Sequence, residues 1–156
     1  MEELNKVVVF SVEKEEYAFP INDVISIEKM EGITPIPHLP EYVRGVVKVR
    51  GDLVPTIDLE KILYNRFIPN DQTSRMVVLK LDEMSIGILV NEAKDIMDIS
   101  SKQIKQLGLV AYEKTSYLTG VINLESRLIT IINPTLLVQS LEGIKEIKEF
   151  MKQEQK

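Results

Sequence analysis

Gly45-Val46-Val47-Lys48-Val49-Arg50-Gly51-Asp52-Leu53-Val54-Pro55-Thr56-Ile57-Asp58-Leu59 reads as two apolar, β-branched runs folded back on each other at Arg50-Gly51-Asp52. Gly51 accepts a positive φ at little cost, which suits a tight turn. Pro55 lacks an amide donor, so the second run is expected at a sheet edge or bulged at that residue. Asp58 stands just before Leu59-Glu60-Lys61-Ile62-Leu63 and reads as the N-cap of a short helix. Carboxylates such as Asp52 and Asp58 are able in principle to do acid–base work, but nothing in the pattern asks them to.

The same pattern returns further along the chain. Gly120-Val121-Ile122-Asn123-Leu124 lies 75 residues after Gly45 to Val49, and Leu128-Ile129-Thr130-Ile131-Ile132-Asn133 lies the same distance after Leu53 to Asp58. Nearer the start the shift is 69: Val7-Val8-Val9-Phe10-Ser11-Val12 matches Met76-Val77-Val78-Leu79-Lys80-Leu81, and Tyr17 to Asn22 matches Ile86 to Asn91. Identities are few, yet hydrophobic class agrees at nearly every column, in the same order, as a duplication requires. The chain is therefore read as two similar halves, about 1–70 and 71–140, followed by a tail over 141–156. Asn133 in the place of Asp58 shows that the capping position works without charge, and Pro134 is suited to the first helical residue.

Each half reads as β. Val7 to Val12 and Tyr17 to Ile21 are strands joined by the charged turn Glu13-Lys14-Glu15-Glu16, and Val24-Ile25-Ser26-Ile27 continues as strand. The proline-rich stretch Thr34-Pro35-Ile36-Pro37-His38-Leu39-Pro40 is an extended loop. Ser100-Ser101-Lys102-Gln103 fits a capping box opening a helix through Ile104 and Leu107. In the tail, Leu141, Ile144, Ile147 and Phe150/Met151 recur at helical spacing, which predicts an amphipathic helix that covers a barrel. About five strands per half predict a mainly β fold of two small barrels, a form that removes unpaired sheet edges. Neither half is long enough for a generous core of its own, so the two are expected to share an apolar junction with a groove beside it.

Composition narrows the function. The chain has 156 residues, 44% apolar and 28% charged, as a packed fold requires. No apolar run approaches the roughly 20 residues of a membrane helix, and Met1-Glu2-Glu3 is no secretory signal. No cysteine is present, which excludes disulfides, thiol catalysis and thiolate metal sites. The single histidine, His38, lies in the proline-rich loop without a triad motif around it, and no glycine-rich phosphate loop occurs. A net charge of -5 and an aromatic content of 6% argue against a nucleic-acid-binding barrel. No cofactor, metal site or catalytic residue is expected.

The stretch from Gly45 to Leu59 also closely resembles the G-V-x-x-x-R-G-x-x-x-P-x-x-D-L signature of CheW-like chemotaxis coupling proteins. The resemblance extends through Glu16-Tyr17-Ala18, Ile86-Gly87-Ile88-Leu89-Val90 and Tyr117-Leu118-Thr119-Gly120-Val121, in the family's order, over roughly residues 5 to 140. It implies two five-stranded SH3-like barrels with short helices and a non-catalytic adaptor that links chemoreceptor tips to the histidine kinase CheA. No kinase or response-regulator segment is fused to it, so the stand-alone, cytoplasmic form is expected, held at membrane receptor arrays by its partners. The kinase would be met through its own CheW-like regulatory domain. A receptor tip is a helical hairpin, which suits an apolar groove, and contacts on the order of 1,000–1,600 Å² would keep assembly reversible. A scaffold of a non-flagellar array is the alternative.

By this resemblance Arg50 and Gly51 lie at the receptor-binding groove, with Val24, Ile27 and Leu89 beside them. A guanidinium makes several directed hydrogen bonds to a partner; the lesser alternative for Arg50 is a solvated turn residue paired with Asp52. Val24 and Ile27 also fit as core residues, since alternate positions of any strand face inward. Ser26 stands where many relatives have Glu, and Glu28 follows Ile27, so the family's charge contact on this strand is not carried over. The loop from Ile33 to Tyr42 with Gly45 is assigned to kinase contact, naming Ile33, Pro35, Tyr42 and Gly45; its prolines reduce the entropy lost on docking.

Overall fold

The computed structural model describes residues 4–82, 84–106 and 115–154. Among them the strands are β1 (Leu4–Val12), β2 (Glu15–Pro20), β3 (Val24–Lys29), β4 (Val43–Val49), β5 (Asp52–Asp58), β6 (Arg75–Lys80), β7 (Ser85–Val90), β8 (Glu92–Ser100), β9 (Ile104–Gln106), β10 (Leu118–Asn123) and β11 (Leu128–Ile132). The α-helices are α1 (Leu59–Tyr64), α2 (Pro134–Gln139) and α3 (Ile144–Glu154). One sheet runs β8-β1-β2-β11-β10-β9 and the other β3-β6-β7-β5-β4. The first sheet thus has six strands, one more than expected, because the short β9 is added at its edge.

The sheets do not follow the halves of the chain. Hairpin β1–β2 leaves the first half to join β8 to β11, and hairpin β6–β7 joins β3, β4 and β5. The boundary near residue 70 marks the repeat in sequence, not the division between sheets. Registers confirm the repeat strand by strand. Val7 faces Pro20 as Met76 faces Leu89, and Thr56 pairs in parallel with Gly87 as Ile131 does with Ala18. Even the bulges correspond: Arg44 is the extra residue between Val43 and Gly45, as Thr119 is between Leu118 and Gly120.

Alternation along the strands builds three apolar clusters. Val7 and Val9 point into the first sheet's own core with Ala18, Ile122 and Ile129, while Phe10 and Val12 point into a junction shared by both sheets. On β6, Met76 and Val78 face the second sheet's core and Val77 and Leu79 the junction. The expected shared junction is therefore present, and α3 closes it: Ile144, Ile147 and Met151 are buried there with Phe150 half-buried, and Leu141, in the turn before the helix, is buried with them. The hydroxyls of Tyr17 on β2 and Tyr64 on α1 meet across the same junction. Arg127 donates to both oxygens of Glu16, at 3.0 and 2.8 Å, and to Asp95 Oδ2 at 2.8 Å, tying the β10–β11 turn to β2 and β8.

Local expectations fared unevenly. Asp58 and Asn133 cap α1 and α2, accepting from Lys61 N and Leu136 N at 3.0 Å each. The capping box at Ser100 forms, yet it opens a single 3₁₀ turn over Ser101–Gln103 and no α-helix. Ile104 is already extended and pairs with Ile122, so sheet pairing ends the turn; Leu107 lies outside the described residues. Pro55 is not at an edge, because β5 pairs with both β4 and β7. It is tolerated because Val46, directly opposite, spends its N–H and carbonyl on Thr34 instead, at 2.9 and 2.8 Å, and pairing with β7 starts at Thr56.

Candidate functional site

Strands β4 and β5 meet in a two-residue turn with φ +52 at Arg50 and +88 at Gly51, the signs that a type I′ hairpin requires. Gly51 has open space around the missing Cβ, so its role is conformational. The Arg50 side chain is exposed and has no hydrogen bond or ion pair with a described residue, Asp52 included. It borders a shallow depression with Glu28, Lys29 and Glu31 at the end of β3 and with Lys48 and Met76. The depression thus joins the turn to strand β3.

Strand β3 is an edge strand, paired only with β6. A bulge at Ile25 places Val24 opposite Leu79 and Ile27 opposite Val77, so both lie on the face that builds the junction. Val24 packs against that junction, whereas Ile27 is 38% exposed beside it. Arg50 and Ile27 are both exposed, but on β3 it is Glu28 and Lys29, not Val24 or Ile27, that border the depression beside Arg50. Leu89 does not join them. It is fully buried in the second sheet's own core with Met76, Val54 and Ile68, because β7 is a central strand whose alternate side chains point inward. Its assignment to a receptor groove is corrected.

The residues assigned to the kinase separate in the same way. Pro35 is exposed, while Ile33 is half-buried against the second core. Gly45 is buried at φ +146, and a Cβ there would run into the Thr34 carbonyl. It lets the loop lie on β4 and offers no surface, which corrects its assignment as a contact. Tyr42 is half-buried and works inside the molecule: its hydroxyl donates to the Glu142 carbonyl at 2.5 Å and its carbonyl accepts from Asp58 N at 2.8 Å. Burial, with Glu146 and Glu142 nearby, pushes its phenol up to about 12.

Three features escaped the sequence reading. Arg44 reaches the buried Asp58, and the exposed ring of Phe67 lies 5.3 Å from its guanidinium carbon and 4.8 Å from Lys61 Nζ. Ile96 on β8 is 58% exposed and is the repeat counterpart of Ile27, opposite Val8 as Ile27 is opposite Val77. The shift of 69 residues was the signal that pointed to Ile96; no motif marked Phe67. Third, Glu60 is buried in α1, where burial and a hydrogen bond with Glu13 lift its carboxyl above the usual range. Among the described residues no cluster of His, Asp or Glu is suited to hold a metal ion.

The chain matches the family model of the CheW-like domain over residues 6–142. It is 30% identical to the chemotaxis protein CheW of Bacillus subtilis, over 82% of this chain and 83% of that one. It is 29% identical to the chemotaxis protein CheW of Klebsiella aerogenes, over 86% and 81% of the two chains. Among solved structures, the scaffolding protein TtCheW from Thermoanaerobacter tengcongensis superposes with a TM-score of 0.77 at 27% identity, covering 91% of this chain and 92% of that one. The two sheets are accordingly two SH3-like β-barrels.

Proposed function

Because the chain belongs to the family of CheW-like domains, we propose that it is a non-catalytic adaptor coupling the cytoplasmic tips of chemoreceptors to the histidine kinase CheA. The observation that supports this reading is an exposed Arg50 with no described partner, at the rim of a depression that reaches the edge strand β3, whose Ile27 is also exposed. An apolar anchor beside a guanidinium is the usual make-up of a protein contact that is strong at its centre and reversible overall. The type I′ turn holds Arg50 in place before the partner arrives, so less freedom is lost on docking.

The receptor tip would lie along β3 and the turn, and the kinase's CheW-like regulatory domain would meet the loop around Pro35. The adaptor would work in the cytoplasm, reaching the membrane array through these partners; no described helix is long and apolar enough to cross a membrane. The test is a pull-down with purified CheA and a receptor signalling fragment. A ternary complex that needs this chain is expected, and recovery of no such complex would reduce the reading to one of fold.

A further inference from the structure

The turn between β1 and β2 is built from unusual residues. Glu13 and Lys14 stand at φ +57 and +78, where glycine or asparagine is the common choice, so something outside the hairpin must hold them. Three side chains do. Asn91, the single residue between β7 of the second sheet and β8 of the first, accepts from Glu13 N through its Oδ1 at 2.6 Å. Arg66, just past the end of α1, places Nη2 2.9 Å from Glu13 Oε2. Glu60, in the first turn of α1, is hydrogen-bonded to the Glu13 carboxyl. The turn of a first-sheet hairpin is therefore clasped by the helix that packs on β7 in the second.

The contact between Glu60 and Glu13 contains a proton of necessity. An ionised carboxyl only accepts hydrogen bonds, so two of them bond to each other only while one is protonated. Glu60 is placed to be the neutral one: it is 3% exposed, and its Oε1 has no hydrogen-bond partner among the described residues. Asn91, its oxygen already spent on Glu13 N, turns its amide nitrogen to Glu60. Of the charged groups around, Asp58 repels a second charge and is itself held by Arg44. Arg66 is exposed and bound to Glu13, Lys61 turns to Glu41 and Asn65, and Glu92 beside Asn91 faces Lys94. Lys14 is exposed, and Tyr64 meets the hydroxyl of Tyr17. Among the described residues no cation is paired with Glu60.

The sequence repeat supplies an internal control. Asp82 is the counterpart of Glu13 and Thr135 that of Glu60, and the two line one hollow beside α2. Thr135 is exposed there. The same corner of the fold thus closes without a buried acid on its helix, so Glu60 is not a requirement of the architecture.

We propose that Glu60 and Glu13 form a proton-operated latch between the two barrels, closed while they share a proton and released when it leaves. The balance is one proton passed from the carboxyl pair to water. Two carboxylates then face each other, Glu60 cannot stay buried with a charge, and the start of α1 parts from the Glu13-Lys14 turn. Burial first, and then the hydrogen bond to Glu13, make Glu60 hold its proton more tightly than an ordinary glutamate, so release comes above the usual carboxyl range. A rise in pH loosens the barrels at this corner and a fall tightens them. The latch involves neither Arg50 nor β3, so it does not rest on the receptor reading.

The test is a pH titration of the full chain, isotope-labelled for NMR, from about pH 4 to about pH 8. The carboxyl carbons of Glu13 and Glu60 should move together in one step above the ordinary glutamate range. The amides of Glu13, Lys14 and Asn91 should move in the same step, and those of Arg50 and Gly51 should not. Glu60→Gln keeps a donor toward Glu13 without a proton to lose, so its turn amides should hold one position across the range of the parent's step. At the alkaline end the Glu13 amide should exchange with solvent about fivefold faster in the parent than in Glu60→Gln, the factor of one net hydrogen bond, and equally fast at the acid end. A Glu60 carbon that titrates in the ordinary range or stays still throughout, turn amides that do not follow it, or the same step in Glu60→Gln would each overturn the proposal. The parent titration decides alone if Glu60→Gln does not fold.

Discussion

Arg44 Nη1 stands 2.9 Å from Asp58 Oδ2 in a pair whose carboxylate is wholly buried while the guanidinium side chain is 30% exposed. The two oxygens of Asp58 divide the work. Oδ1 caps α1 through Lys61 N, and Oδ2 holds both Arg44 and the amide of Ile68. One residue thereby fixes a helix start, a strand bulge and the buried Ile68.

Asp58→Asn keeps the cap oxygen but turns an amide donor toward two other donors. It should cost about 2–4 kcal/mol, the range for leaving a buried charge-assisted contact unpaired. Urea unfolding monitored by circular dichroism measures it. A loss below about 1 kcal/mol, the scale of an ordinary hydrogen bond, would mean the pair holds nothing.

Arg50→Glu should weaken binding of a receptor signalling fragment by about tenfold or more, the loss of a central anchor. Both residues carry the same penalty for a positive φ, and Arg50 contacts no described partner, so Tm should move by less than about 2 °C. Calorimetric titration and a melting curve on the same sample separate the two readouts. A large drop in Tm would make Arg50 a structural residue.

Glu60 yields a pH dependence. A carboxyl that holds its proton more tightly when folded stabilises the fold below its unfolded value and loses that contribution as pH rises through its folded value. For Glu60, whose ordinary value is 4.5, burial and the Glu13 hydrogen bond raise the folded value, so stability declines above about that pH. Glu60→Gln keeps the shape and can donate to Glu13. It should melt higher than the parent at pH 7 and show a flatter profile between pH 5 and 7; parallel profiles would remove the carboxyl from the account.

Gly45→Ala should be among the costlier single changes in the second barrel. The residue sits at φ +146, and a methyl group would meet the Thr34 carbonyl, breaking the bridge between Thr34 and Val46. A loss of about 2–4 kcal/mol is expected from strain and displaced backbone together. Gly51→Ala, with open space around it, should cost only its φ penalty, about 1 kcal/mol.

Local structure was largely legible in the residues. The hairpin at Arg50-Gly51, the caps at Asp58 and Asn133 and the apolar stripe of α3 all follow from side-chain chemistry within a few residues, and they are found as expected. Pairing between distant segments was not legible. The repeat shows that Met76 corresponds to Val7, but not that β6 lies beside β3 and β1 beside β8. Leu89 shows the cost of this at the site: its motif marks it, but only the sheet order reveals that β7 is central and its side chain enclosed. Ser100 failed differently, since a genuine cap was overruled by the sheet partner of Ile104. Arg44 carried no signal, because its value depends on a bulge that aims it at Asp58.

The exchange of hairpins has a bearing on ancestry. Two separate copies of a single 70-odd-residue unit, each lending its leading hairpin to the other, would give the same pair of barrels before any gene fusion. Covalent linkage then freed the copies to diverge: one has the buried carboxylate of Asp58, which grips Ile68, where the other has the amide of Asn133 at the same capping position. A symmetric dimer cannot acquire two unlike halves; a fused one can.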